Sequence, residues 1–200
     1  MNISRAITKI KKIGLFRSII YIIVTVLLER LHIYINNIYY KTDIPPLPSA
    51  KGVSYTFANN ITAFSNEDLV SLKEYGGDSL INSIQGRALT MEALIIHVDN
   101  KIASLLWIDK QPWLPESLNF KPYYTIKDCF TLPNHRGHGL YKYGLQTITH
   151  HKNITNDLTA IIEVSVANQP SIHGIRNAGF KPYRQYIQFF KKRYFFSYCK

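Results

Sequence analysis

The chain has 200 residues, 46% of them hydrophobic, with 24 Lys and Arg against 13 Asp and Glu and a formal net charge of +11. That hydrophobic content excludes wholesale disorder, and the length suffices for one full domain with a sizeable core and some extra sequence. Two cysteines, Cys129 and Cys199, exclude a disulfide framework and make a reducing cytoplasm the default.

The charge is unevenly placed. Residues 1–17 hold Arg5, Lys9, Lys11, Lys12 and Arg17 and no acid; residues 176–200 hold Arg176, Lys181, Arg184, Lys191, Lys192, Arg193 and Lys200 and no acid. The span between these ends is close to neutral. Two basic ends on a neutral body imply an anionic surface as partner, membrane lipid or nucleic acid on charge alone. The first end favours lipid. Ile3, Ala6, Ile7, Ile10 and Ile13 form one stripe of a helix and Arg5, Lys9 and Lys12 fall off it, the pattern of an interfacial basic helix. Ser18 to Leu28 follows, eleven residues without a charge, short of the roughly 20 needed to span a bilayer. No small-x-small cleavage site follows it. Residues 1–40 are therefore expected to be a helical membrane-associating segment at the cytoplasmic face of the cell membrane, with a short uncleaved anchor as the alternative and packing on the domain as the bland one. Groove binders of nucleic acid expose basic faces without such apolar runs, so nucleic acid is not the expected partner.

Residues 41–51, with Pro45, Pro46 and Pro48, read as a stiff linker, and the domain is expected over 52–200. Val53 to Phe57 reads as a strand. Ser65-Asn-Glu-Asp68 is a capping signature for a helix to about Tyr75, stopped by Gly76-Gly77, with a second helix over Ser79 to Gln85. Ala93 to Val98 and Ile102 to Ile108 read as strands joined by a hairpin turn at Asp99-Asn100-Lys101. A proline-rich loop then leads to a strand over Tyr123 to Leu132.

The next stretch is the most informative. After that strand, Asn134-His-Arg-Gly-His-Gly139 opens a helix whose buried face carries Leu140, Tyr143, Leu145 and Ile148. A helix start presents unpaired N–H groups and partial positive charge, which bind anions and phosphates above all. Gly137 and Gly139 let a ligand approach the backbone, and Arg136 and His138 add polar or charged side chains. The bland alternative is an ordinary strand–helix turn. A β-prone run over Leu158 to Val166 follows, then a turn at Asn168-Gln-Pro-Ser171, a helix through Asn177 closed by Gly179, and a final hairpin, Phe180 to Phe190 and Tyr194 to Tyr198. The order describes a mixed α/β (α+β) domain with a largely antiparallel first half.

Two of these segments resemble the GNAT acyltransferase superfamily. Arg136-Gly-His-Gly139-Leu-Tyr141 resembles its Arg/Gln-x-x-Gly-x-Gly/Ala loop for the pyrophosphate of coenzyme A. Asn168-Gln-Pro-Ser171 through Gly179-Phe180 resembles its Asn-x-x-Ser…Gly-Phe segment. The resemblance covers about residues 52 to 190 and implies a mostly antiparallel sheet with flanking helices. It further implies an acetyl-CoA-dependent N-acetyltransferase acting on a small-molecule amine. In it the backbone of Arg136, Gly137, His138, Gly139, Leu140 and Tyr141 holds the pyrophosphate. The strand edge at Cys129, Phe130 and Thr131 holds the pantetheine arm, Asn168 hydrogen-bonds that arm, and Ser171 caps the next helix or touches the cofactor. The layout is also similar to acetyltransferases of bacterial surface-polysaccharide assembly, which implies an amino-sugar acceptor at the membrane. Trp107, Trp113, Tyr123 and Tyr124 are candidate sugar-stacking groups, with core packing as their bland reading. The alternatives are a longer-chain N-acyltransferase acting on an amino acid, or a non-catalytic membrane-binding module that kept the fold.

Two positions depart from the family pattern. Tyr141 stands where a Gly or Ala is usual, and Ile175 stands where many members carry the tyrosine that protonates the leaving thiolate. His173, Tyr141 and Tyr183 are candidate replacements. Asp128 and Glu163 are candidate bases on the strands flanking the substrate. The pairs His135/His138 and His150/His151 mimic metal-ligand spacing without a third ligand, so no metal is expected.

Overall fold

The structure, a computed structural model, describes residues 33–110, 114, 122–156, 158–189 and 192–197. The expected membrane-associating helix therefore lies outside the described residues except at its end, where the structure corrects the expected boundary. Residues 33–40 are not helical: Ile33–Lys41 is strand β1. The other elements are β2 (Val53–Ala58), α1 (Asn66–Ala88), β3 (Glu92–Val98), β4 (Lys101–Asp109), β5 (Tyr123–Thr131), α2 (Leu140–Asn156), β6 (Thr159–Ser165), α3 (Gln169–Asn177), β7 (Lys181–Phe189) and β8 (Lys192–Ser197). No described helix is long and apolar enough to cross a membrane.

The chain divides into two compact units, residues 37–183 and a second made of 1–36 with 184–200. In the first, the strand order is β2-β3-β4-β5-β6-β1-β7, with β1 and β7 contributing only residues 37–41 and 181–183. Pairings β2–β3, β3–β4 and β4–β5 are antiparallel, while β5–β6 is parallel across α2. In the second unit, β7 from Arg184 pairs antiparallel with β8.

Side chains alternate across the sheet and feed two cores. Leu94, Ile96, Leu106, Ile108, Tyr124 and Ile126 meet Leu140, Tyr143, Leu145 and Ile148 of α2 and Ile172 and Ile175 of α3. On the other face Ala93, Ile95, Leu105 and Trp107 meet Leu72, Ile84 and Ala88 of α1. The result is helix, sheet, helix in three layers. Each large apolar side chain so buried contributes roughly 1.5–3 kcal/mol.

Local signals explain the helix ends. The Ser65 side chain accepts from Asp68 N and the Asp68 carboxylate from Ser65 N, a closed capping box. Gly77, at φ 65° and ψ −168°, breaks α1 into two limbs where the glycine pair predicts a stop. At the end of α3, Phe180 N donates to Ile175 O and Gly179 N to Arg176 O, with Gly179 at φ 89°. That is the Schellman pattern, and Phe180 and Ile175 then share one core.

The proline stretch is not a free linker. It carries the chain from β1 to β2 at the far edge of the first unit, with Pro45 O bound to His150 Nδ1 at 2.8 Å and Asp43 O to Asn153 Nδ2 at 3.4 Å, both on α2.

Candidate active site

The site begins with a fault in β5. Its register against β4 shifts between Leu105 and Trp107, and Asp128 sits at φ 49°. One extra residue in a strand twists it and reverses which side chains face which way. Before the bulge Tyr124 and Ile126 face the α2 side; after it Cys129 packs there and Phe130 turns to the α1 side. The parallel pairing with β6 ends at the same place. Its last partners are Ile126 and Ile162, although β5 continues to Thr131 and β6 to Ser165. The two strands part there, and the gap is bordered by residues 127–131 and 163–165.

The loop above the gap runs through Arg136 to Gly137 at φ 86° and Gly139 at φ 75°, and α2 starts at Leu140. Among the described residues, no acceptor takes the N–H groups of residues 137–142; the first helical bond is from Tyr143 N to Gly139 O. A Cβ built on either glycine meets nothing within 4 Å, so both are open to solvent and are glycine because of their φ. Six N–H donors without an acceptor around a helix start, with open space at both glycines, fit a pyrophosphate. His138 is exposed beside them, and Leu140 is anchored in the core.

Arg136 points elsewhere. Its Nε donates to Thr131 O at 2.9 Å and its second guanidinium nitrogen to Tyr75 Oη at 3.2 Å, so it ties the loop to the first limb of α1. Tyr75 stacks on Phe130, ring centroids 6.2 Å apart. Ser104 Oγ donates to Phe130 O at 2.8 Å and contacts Thr131 Oγ1 at 3.0 Å, fixing the end of β5.

The other wall is α3. Asn168 is its N-cap, and the Asn168 side chain accepts from Ser171 N at 3.3 Å. The expected division of roles is thus altered, since Asn168 rather than Ser171 makes the cap. His173 is exposed on α3 and bonded to Asn177 at 2.7 Å.

Tyr141 lies between these walls. Its ring packs on α3 at Gly174, where an added Cβ would lie 2.6 Å from Tyr141 Cδ1. The bulky residue in place of Gly or Ala is accommodated because α3 has no side chain opposite it. Burial first, and then the neighbouring Cys129, push the phenol above its ordinary value of 10.0, so it keeps its proton at neutral pH. Among the described residues its hydroxyl has no hydrogen-bond partner. Burial, with Asp128 beside it, likewise raises the Cys129 thiol, which disfavours the thiolate at neutral pH.

Asp128 is exposed on the bulge, and its Oδ2 accepts from Arg87 Nε at 2.9 Å. The same guanidinium also donates to Ser83 O and Oγ. Glu163 is exposed on β6 beyond the last pairing. Two of the expected sugar-stacking aromatics are core: Trp107 packs near Phe64, and Tyr124 donates to Asn153 Oδ1. Tyr123 Oη accepts from Leu114 N, and Trp113 lies outside the described residues. Among the described residues no group of three or more His, Cys, Asp or Glu is placed to hold a metal.

Sequence reasoning missed Arg87, Tyr75 and Gly174. Only Gly174 left a signal, as a lone glycine inside a helical pattern, which usually has a packing reason.

Neither a family model nor a curated protein matches the chain. Solved structures do. A GNAT-family acetyltransferase from Colwellia psychrerythraea aligns at TM-score 0.54 and 16% identity, covering 78% of this chain and 56% of that one. A GCN5-related N-acetyltransferase from Sphaerobacter thermophilus aligns at 0.52 and 14%, covering 82% and 54%. A tandem GNAT protein from the clavulanic acid biosynthesis pathway aligns at 0.51 and 14%, covering 82% and 56%. This chain spans little more than half the length of each. Parted β5 and β6, the glycine loop at the head of α2 and the overall alignment agree: the chain has the GNAT fold.

Proposed function

We propose that the chain is an acyl-CoA-dependent N-acetyltransferase. The observation that carries this reading is the parting of β5 from β6 beneath a helix start whose N–H groups have no acceptor among the described residues. A long, thin donor with a doubly charged pyrophosphate fits that arrangement, with the pyrophosphate on residues 137–142 and the thioester arm between the strands.

In the reaction, the acceptor nitrogen attacks the thioester carbonyl carbon. An N–C bond forms, the C–S bond breaks, and the amine loses a proton while the thiolate gains one. Tyr141 is the proton donor to sulfur: it is protonated, shielded from water by burial and has no hydrogen-bond partner among the described residues. Asp128, held through Oδ2 by Arg87, takes the amine proton, and solvent returns it to Tyr141. Backbone N–H groups between Cys129 and Thr131 serve as the donors to the thioester carbonyl and stabilise its developing oxyanion.

The acceptor we propose is the primary amine of an amino sugar in surface-polysaccharide assembly at the cytoplasmic face of the membrane. The exposed face of Tyr75, half open to solvent and stacked on Phe130 beside Asp128, supports a sugar ring there.

The test is thermal unfolding with acetyl-CoA, followed by free-thiol release with a panel of amino sugars and amino acids. Ligand at a hundred times its Kd should stabilise by about 2.7 kcal/mol. Gly139→Asp, which puts a carboxylate among the anion donors, should abolish that shift. An unshifted parent protein would refute the reading, whereas thiol release with amino acids alone would move the acceptor to that class.

A further inference from the structure

Outside the cleft, the β7–β8 hairpin has two unlike faces. Residues opposite one another in an antiparallel pair share a face. One face is satisfied internally: Tyr186 and Phe195 rings lie 5.4 Å apart, the Arg193 guanidinium sits 5.7 Å over Tyr186, and its Nε donates to Gln188 Oε1. By register the other face carries Gln185, Ile187, Phe189, Lys192, Tyr194 and Phe196. On it Phe189, Tyr194 and Phe196 are 41%, 51% and 47% exposed.

Three exposed aromatics on one face of the terminal hairpin make an apolar patch, which on a folded protein marks a contact surface. Its surroundings state the partner's charge. Lys192 lies on that face, Arg193 adjoins it, and residues 176–200 carry seven Lys and Arg and no acid. Exposed aromatics beside a lysine, in a segment whose formal charge is all positive, suit the headgroup level of an anionic bilayer, where phenol and phenyl rings enter and ammonium groups meet lipid phosphates. Single-stranded nucleic acid also accepts stacking and basic residues. Lipid is favoured because the same chain carries the uncharged run Ser18 to Leu28, which a nucleic-acid contact does not use.

We infer that the Phe189, Tyr194 and Phe196 face of the β7–β8 hairpin docks on an anionic lipid surface. This does not depend on the acyl-transfer reading. The experiment is co-sedimentation of the full chain with vesicles of phosphatidylcholine, alone or mixed with phosphatidylglycerol. Binding is expected with the mixed vesicles and to be much weaker without phosphatidylglycerol. Lys192→Gln should weaken it roughly fivefold, the share of one basic residue at the surface. Tyr194→Ser with Phe196→Ser should weaken it at least as much, and Tyr194→Gln alone serves should that pair fail to fold. Melting shifts with acetyl-CoA should remain those of the parent in every variant. Parental vesicle binding by the variants would overturn the inference, since the N-terminal segment would then carry it alone. Vesicle binding left intact while a dimer, or binding to a single-stranded oligonucleotide, is lost would also overturn it, with a second copy or nucleic acid as the occupant.

Discussion

An alanine at Gly174 would put its Cβ 2.6 Å from Tyr141 Cδ1, a ring atom held from both sides rather than the free end of a flexible chain. Glycine to alanine inside a helix ordinarily stabilises by up to about 1 kcal/mol. Here the sign should reverse. Gly174→Ala is expected to destabilise by about 1–3 kcal/mol in denaturant unfolding, the cost of overpacking. Combined with Tyr141→Ala the penalty should largely vanish, and a double-mutant cycle measures that coupling. Tyr141→Phe leaves the packing in place and removes only the hydroxyl. It should keep the acetyl-CoA melting shift while turnover falls roughly a hundredfold, the lower end for loss of a general acid. Equal turnover by the Phe variant would reduce Tyr141 to a packing residue.

The elements show where local chemistry suffices. The Ser65–Asp68 box, the break at Gly76-Gly77 and the Gly179-Phe180 cap are each made by residues within six positions of one another. Gly77 adopts φ 65° and ψ −168°, a region open essentially to glycine alone. Gly77→Ala should therefore cost about 1–3 kcal/mol. Because the second limb of α1 carries Arg87 to Asp128, it should also raise KM for the amine more than for acetyl-CoA, read from initial rates. At the bulge the case differs. Nothing in Tyr123 to Thr131 announces that β5 leaves β6 at Ile126, because the departure comes from how the strand registers against β4.

At the scale of the molecule, edge strand β2 is tied to α2 through Tyr55 Oη and His151 Nε2, 2.8 Å apart. His150 and Lys152 flank His151, and Phe57 packs against it. Burial first, and then the charges of His150 and Lys152, lower the His151 pKa from its ordinary 6.5. A lowered imidazole stays neutral in the folded protein while the unfolded chain takes up the proton. That contribution is therefore intact above 6.5 and is lost as pH falls below it. Stability in urea should be lower at about pH 5.5 than at about pH 7.5, and His151→Phe should flatten the difference. An unchanged slope would place the titration on another group.

The same division holds for the chain as a whole. By itself the sequence determined the strand–loop–helix at 123–156, the Ser65 capping box of α1, the Gly179 stop of α3 and the final hairpin, because turns, caps and periodicity are interactions between near neighbours. Only the tertiary structure decided that Ile33–Lys41 is a strand, that the prolines brace α2, that Arg136 turns to Tyr75, and that Tyr141 is allowed by Gly174. Each of these joins residues tens of positions apart, and their contact depends on packing that no window of sequence contains.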